Sequence, residues 1–382
     1  MTLSRRQLIV TTALLAVGTA CTAAPPATTT PAQPRPIDSA DALVDWIAAH
    51  PGAASVLVDD GRGRRVAHLA DRSRPLASAA KVVHLTAYAQ AVVAGRLDPD
   101  ARVSVAEWER WYVPGTDGSA HRQALQMLGV GPDDTVRWDD LVAVMTAASD
   151  SAVPDLLRET LGDAALVAAA TAGGWTAPDL PSFGGEGLLT PGAFTDDPPP
   201  GPADRRAAAV AALRRYAGDP AWRAAVAQRA AAIEAAAQDP AAQAAPPAAD
   251  PALDRLMEWF DGGPAGTVAQ LAGMHRAAAT DGFGAEVAAI VRGHLERPLA
   301  DRLPPGVLGA GQKGGSLPGI LTNAVTVRRA DATVGVAVVA LSGMPLPDYQ
   351  QALTAGAPLL LSQQVLLDDA LLTRLGTAVG VR

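Results

Sequence analysis

The hydrophobic pattern of the chain alternates between a helical and a strand period. Leu43, Val44, Trp46 and Ile47, behind an N-cap Ser39, predict a helix from Ser39 to His50. Ser55 to Asp59 and Arg65 to Leu69, joined by Asp60-Gly61-Arg62-Gly63, predict a two-stranded hairpin. The apolar, helix-forming run Val82 to Leu97 follows at once on Ser78-Ala79-Ala80-Lys81, which predicts a helix starting near Ser78. Residues 101–137 are polar and turn-rich and predict mostly loop. Leu141, Val142 and Met145 form one stripe of a helix over Trp138 to Ala148 that stops at Ser149-Asp150-Ser151, and a second helix runs from about Pro154 to Leu161. Asp179 to Asp196 reads as irregular.

From Asp197 to Pro251 the composition turns to Pro and Ala, with helical stretches at Ala203 to Tyr216 and Ala221 to Gln238. This predicts a surface insertion without a core of its own. Amphipathic helices return at Thr267 to Thr280 and Ala285 to Arg297. Gln312 to Leu317, Ala324 to Arg329 and Thr333 to Leu341 then suit adjacent antiparallel strands, and Pro347 to Leu375 reads as one long helix packed back on them. The order implies an α+β protein, its antiparallel sheet flanked by N- and C-terminal helices and closed by segments from both ends of the chain.

Composition narrows the function. The chain of 382 residues carries a net charge of −8 with no basic patch, which excludes nucleic acid as a natural partner. Aromatic residues are only 4%, so small-residue helices must supply much of the core. Ser4-Arg5-Arg6-Gln7-Leu8, an apolar run from Ile9 to Val17 and Gly18-Thr19-Ala20-Cys21 form a twin-Arg export signal over 1–20 with a lipoprotein-like cleavage site; Gly18 stands where such a site usually has Leu. The expectation is a lipid on Cys21 that holds the protein at the outer face of the cytoplasmic membrane, the alternative being cleavage near Thr22-Ala23-Ala24 and release. Residues 21–38 are a Pro/Thr-rich tether, and 39–382 form the folded domain with its insertion at about 197–251. Cys21 is the only cysteine, so no intrachain disulfide and no Cys-based zinc site can form. The six histidines show no metal-ligand spacing, so neither metal nor cofactor is expected. Gly309-Ala310-Gly311-Gln312-Lys313-Gly314 matches a dinucleotide fingerprint but has Pro304-Pro305-Gly306 before it and strands after it, the wrong context for that motif.

Candidate chemistry centres on Ser78 and Lys81. On a helix their spacing puts hydroxyl and amine on one face, the geometry of a nucleophile beside its base. The chain holds only two lysines, Lys81 and Lys313, every other basic residue being arginine. Arginine cannot give up its proton, whereas a buried lysine can, so a lysine kept against this bias points to chemistry.

Ser78…Lys81, then Ser149-Asp150-Ser151, then Lys313-Gly314-Gly315-Ser316 on a strand resemble the S-x-x-K, S-D-N and K-T-G set of class A β-lactamases and penicillin-binding proteins, over about Ser39 to the C-terminus. The resemblance implies that fold, with an all-helical subdomain, and acylation of Ser78 with Lys81 as base or proton relay. It also implies proton delivery to the leaving nitrogen by Ser149, a substrate carboxylate held by Lys313, and an oxyanion hole from the N–H groups of Ser78 and Ser316, with Ser151 and Gly315 lining the substrate site. Glu186-Gly187-Leu188-Leu189-Thr190 is similar to the E-x-x-L-N loop of class A enzymes, which makes Glu186 the implied base for deacylation, with Thr190 in place of Asn. Ser151 stands where the family has Asn and Gly314 where it has Thr, each removing a group that contacts substrate. The implied activity is hydrolysis of a β-lactam or a related amide or ester by a monomer. The alternatives are a D,D-peptidase acting on peptidoglycan-like peptides, an esterase-like relative, or a non-hydrolytic lipoprotein of the cell envelope that binds with the same pocket.

Overall fold

The computed structural model describes residues 36–194, 201, 203–238 and 251–381. The expected export signal, Cys21, most of the tether and parts of the 197–251 segment lie outside the described residues.

The centre is a five-stranded antiparallel sheet of β1 (Ala54–Asp59), β2 (Arg65–His68), β3 (Val307–Leu317), β4 (Ile320–Arg329) and β5 (Val334–Leu341), in the order β2-β1-β5-β4-β3. The N-terminal hairpin thus pairs with the C-terminal meander through β1 and β5, with Val56 opposite Val339. Side chains alternate across the pleat. Val56, Val58, Val325, Val327, Ala337 and Val339 face the terminal helices, while Leu57, Ala324, Val336 and Val338 join the opposite core.

The terminal layer holds α1 (Ala40–Ala49), whose N-cap Ser39 accepts from the Ala42 N–H, and three C-terminal helices. The expected single helix over Pro347 to Leu375 is instead α14 (Leu346–Ala355), α15 (Ala357–Gln364) and α16 (Asp369–Ala378). Gly356 adopts φ +65°, a left-handed C-cap, and so breaks the first from the second. Ile37 is buried and its N–H donates to the Gln351 side chain, so the end of the proposed tether docks on this layer.

The other face carries the helical subdomain around α2 (Lys81–Val93), which is buried along most of its length. A 3-10 turn at Ala77–Ala80 precedes α2, so Ser78 lies in the turn rather than in the helix, and α2 ends four residues short of Leu97. Residues 101–137 contain α3 (Val105–Glu109), α4 (Ala120–Leu128) and a short ladder of Arg102–Ser104 with Thr135–Arg137. The sequence hid these elements because they are short and polar outside; inward they commit Trp108, Trp111 and Ala124 to the core. Helices α5 (Trp138–Ala147), α6 (Ala152–Leu161), α7 (Asp163–Ala172) and α8 (Phe183–Leu188) follow.

The reading of 197–251 as a surface insertion needs correction. Helix α9 (Arg205–Gly218) buries Ala209, Leu213, Tyr216 and Ala217 in the main core, and the Tyr216 hydroxyl donates to the Tyr112 carbonyl at 2.7 Å. A side chain at Gly185 of α8 would come within 2.1 Å of the Ala209 carbonyl oxygen, so glycine is what lets these helices meet. Alanine-rich composition disguised a packed helix as an appendage. Helix α10 (Pro220–Ala237) is mostly exposed, apart from Val226. Helices α11 (Pro251–Asp261), α12 (Val268–Ala279) and α13 (Ala285–Glu296) then lead back to β3, α12 being held by a reciprocal capping box of Thr267 and Gln270.

Truncating Leu213 to Ala should therefore destabilise the protein by about 2–5 kcal/mol in urea denaturation. A loss under about 0.5 kcal/mol would restore the appendage reading.

Candidate active site

The site forms where the 3-10 turn, the α5–α6 loop and strand β3 meet. In a 3-10 turn residues three apart eclipse, so Ser78 and Lys81 share one side of the chain. Ala77, just before Ser78, adopts φ +47°, and Ser149 adopts φ +67°. Left-handed backbone at non-glycine residues costs on the order of 1–3 kcal/mol and persists only where the surroundings enforce it. Here it occurs next to Ser78 and at Ser149 itself.

Lys81 is 1% exposed and Lys313 4% exposed, so neither amine retains a hydration shell. The Lys81 ammonium donates to the Ser149 carbonyl at 2.5 Å and the Ser151 hydroxyl at 3.0 Å, and lies 3.5 Å from the Ser149 hydroxyl. The Lys313 ammonium donates to the same Ser149 hydroxyl at 2.9 Å and to the Gly314 carbonyl at 2.9 Å. Burial lowers the Lys81 pKa from its ordinary 10.5 to about 8, against the pull of Asp150, Asp117 and Asp155. Burial and the Lys81 charge push Lys313 well below the ordinary range as well.

Asp150 anchors this arrangement. One oxygen accepts from the His121 ring at 2.6 Å; the other accepts from the Trp108 indole and from the Ala152 and Val153 N–H groups. Burial alone would raise its pKa, but these bonds and Lys81 hold it below the usual carboxylate range. It is thus a fixed negative charge between the two serines. Asp155 accepts from the Gly184 N–H at 2.8 Å, and burial raises it to about 6.

Strand β3 reaches the turn through Gly315, where a Cβ would lie 2.7 Å from the Ser78 nitrogen, 2.6 Å from that of Ala79 and 2.5 Å from the Leu76 oxygen. Only glycine permits that approach. Ser316 follows it, in register with Leu321, and its side chain hydrogen-bonds the Tyr349 phenol. Gly314 pairs with Asn323 across the strand, and a Cβ there would come within 2.9 Å of the Asn323 amide nitrogen.

Ser78, Lys81, Ser149, Ser151, Lys313 and Gly315 are thus brought together. Glu186 is not brought into that group. Its two oxygens are held by Arg205 Nε at 2.7 Å and Arg206 Nη1 at 2.8 Å. Arg205 also donates to the Trp259 carbonyl and stacks 3.4 Å from the Trp259 ring, and Arg206 takes both oxygens of Asp179. From α8 it is Phe183 that meets the Lys81 ammonium, 4.6 Å from its ring centre. Sequence reasoning missed Phe183, Asp150 and His121; Asp150, an acid between two candidate serines, was the one readable signal.

A model of the β-lactamase enzyme family matches residues 38–197, a stretch that includes Ser78, Lys81 and the Ser149 loop and ends before Lys313. No curated protein matches the sequence significantly. Among solved structures, a β-lactamase from Sphaerobacter thermophilus DSM 20745 aligns with a TM-score of 0.54 at 17% identity over 86% of this chain and 95% of its own. An ancestral class A β-lactamase aligns at 0.51 and 18% identity over 85% and 100%. A β-lactamase from Chitinophaga pinensis DSM 2588 aligns at 0.50 and 13% identity over 87% and 98%. Identities this low speak for architecture alone, and on that ground the chain has the β-lactamase fold, with the β-lactamase enzyme family signature in its N-terminal part.

Proposed function

We propose that the protein is a serine hydrolase that forms an acyl-enzyme on Ser78 with a β-lactam or a related amide or ester. The observation that carries this reading is the convergence of two buried lysines on the Ser149 hydroxyl, one of them Lys81, which shares a side of the 3-10 turn with Ser78. Two amines that share one hydroxyl repel each other strongly in a medium of low dielectric if both are charged. Burial adds to that repulsion and pushes Lys313 well below the ordinary range and Lys81 to about 8, so a fraction of Lys81 is neutral near neutral pH and supplies the base that a serine nucleophile needs.

In the proposed reaction neutral Lys81 takes the Ser78 proton as Ser78 Oγ attacks the substrate carbonyl. The N–H groups of Ser78 and Ser316 receive the developing oxyanion. The proton reaches the leaving nitrogen through Ser149, and an incoming substrate carboxylate draws the buried Lys313 amine back to its charged form and pairs with it. We further propose that Cys21 carries a lipid at the outer face of the cytoplasmic membrane. Cys21→Ala should then move the protein from the membrane pellet to the soluble exported fraction, and a wild-type protein already wholly soluble would contradict the anchor.

Intact-protein mass after exposure to penicillins, cephalosporins and D-Ala-D-Ala peptides tests the acylation. Wild type should gain the mass of a ring-opened β-lactam and Ser78→Ala should not; an equal gain by Ser78→Ala would move the nucleophile elsewhere. Gly315→Ala should lower the acylation rate by at least about a hundredfold, because its methyl displaces the Ser78 and Ala79 amides. Unchanged acylation in that variant would show that the β3 approach does not position Ser78.

A further inference from the structure

The acyl-enzyme proposed above ends as an ester on Ser78, and its hydrolysis needs a base for the incoming water. The following inference rests on that reading. Glu186, which the E-x-x-L pattern offered, has both oxygens committed to Arg205 and Arg206, and its side chain is 12% exposed. Phe183, a residue that cannot accept a proton, fills the side of Lys81 that α8 presents.

The remaining carboxylates around Lys81 are enclosed. Asp150 is saturated by four donors. Asp117, before α4, accepts from the His121 N–H, and Asp155, on α6, accepts from the Gly184 N–H; the second oxygen of each is buried without a partner and reaches no solvent. His84 on α2 and His275 on α12 are fully buried, and burial holds both below the ordinary histidine range. Lys313 faces Lys81 from β3 across the Ser149 hydroxyl.

We propose that Lys81, not Glu186, activates the deacylating water, so that one amine serves both halves of the reaction. Neutral Lys81 accepts a proton from water as its oxygen bonds to the ester carbonyl carbon. The tetrahedral oxyanion then collapses, the bond to Ser78 Oγ breaks, and that oxygen takes the proton back from the Lys81 ammonium, releasing a carboxylic acid. Lys81 is unprotonated above about pH 8, so deacylation rises with pH through that value and levels off above it.

The test loads the full chain with benzylpenicillin, removes excess and follows the adduct by rapid-quench intact mass between pH 5 and 10. Glu186→Gln should leave the decay constant within about twofold of wild type, while wild-type decay rises about tenfold per pH unit below 8. A decay slowed about a hundredfold in Glu186→Gln would overturn the proposal in favour of Glu186. The wild-type profile stands by itself should that variant not fold: a limb near pH 6 with a plateau above it would assign the base to Asp155, and a flat profile would exclude Lys81. If wild type shows neither adduct nor turnover, the acylation reading itself falls and takes this proposal with it.

Discussion

The site depends on charge crowding in a dry space. Two ammonium groups share the Ser149 hydroxyl with almost no access to water, an arrangement that would be destabilising if both stayed charged. Asp150 makes it tolerable. Its carboxylate is fixed by His121, Trp108 and two N-terminal N–H groups of α6, so it offers a permanent counter-charge without being a rival base. The balance leaves Lys81 with a pKa of about 8, which suits the proton-transfer role proposed for it. Left-handed backbone at Ala77 and Ser149 lies in the two segments that frame this cluster, the Ser78 turn and the α5–α6 loop.

The fold supplies that convergence from three distant parts of the sequence. The Ser78 turn stands on α2 in the helical subdomain, Ser149 lies in the α5–α6 corner, and Lys313 comes from the sheet. Gly315 is the joint between sheet and turn, since any side chain there would meet backbone atoms of Leu76, Ser78 and Ala79. Beyond the site, Arg74 ties Ser55 on β1 to Ser342 just past β5 with two side-chain hydrogen bonds, holding the rim of the sheet behind the turn.

Much of this was legible in the sequence, for identifiable reasons. Near-continuous apolar runs bounded by turn residues marked β1 of the hairpin and the meander, because both faces of the sheet are buried against helices. The two lysines were informative because arginine fills every other basic position. What failed were inferences that need the third dimension. Glu186 had the right neighbours along the chain, yet its partners Arg205 and Arg206 come from α9, a helix whose alanine-rich composition concealed that it packs in the core. Phe183 carried no signal, since an aromatic in a glycine-rich loop reads as packing, and only the fold shows that it covers the Lys81 ammonium. The long C-terminal helix was overread because its apolar pattern continues across Gly356, which the left-handed backbone interrupts.

Because the chain has only two lysines, its central electrostatic feature can be measured directly. Labelling lysine with carbon-13 at Cε gives two NMR signals whose shifts report the charge of Lys81 and Lys313 as pH is varied on the folded protein. Neither should titrate as an ordinary lysine: one amine changes charge near pH 8 and the other remains neutral to lower pH, with each curve displaced when the other lysine is replaced. Two independent titrations near 10.5, unaffected by each other, would contradict this.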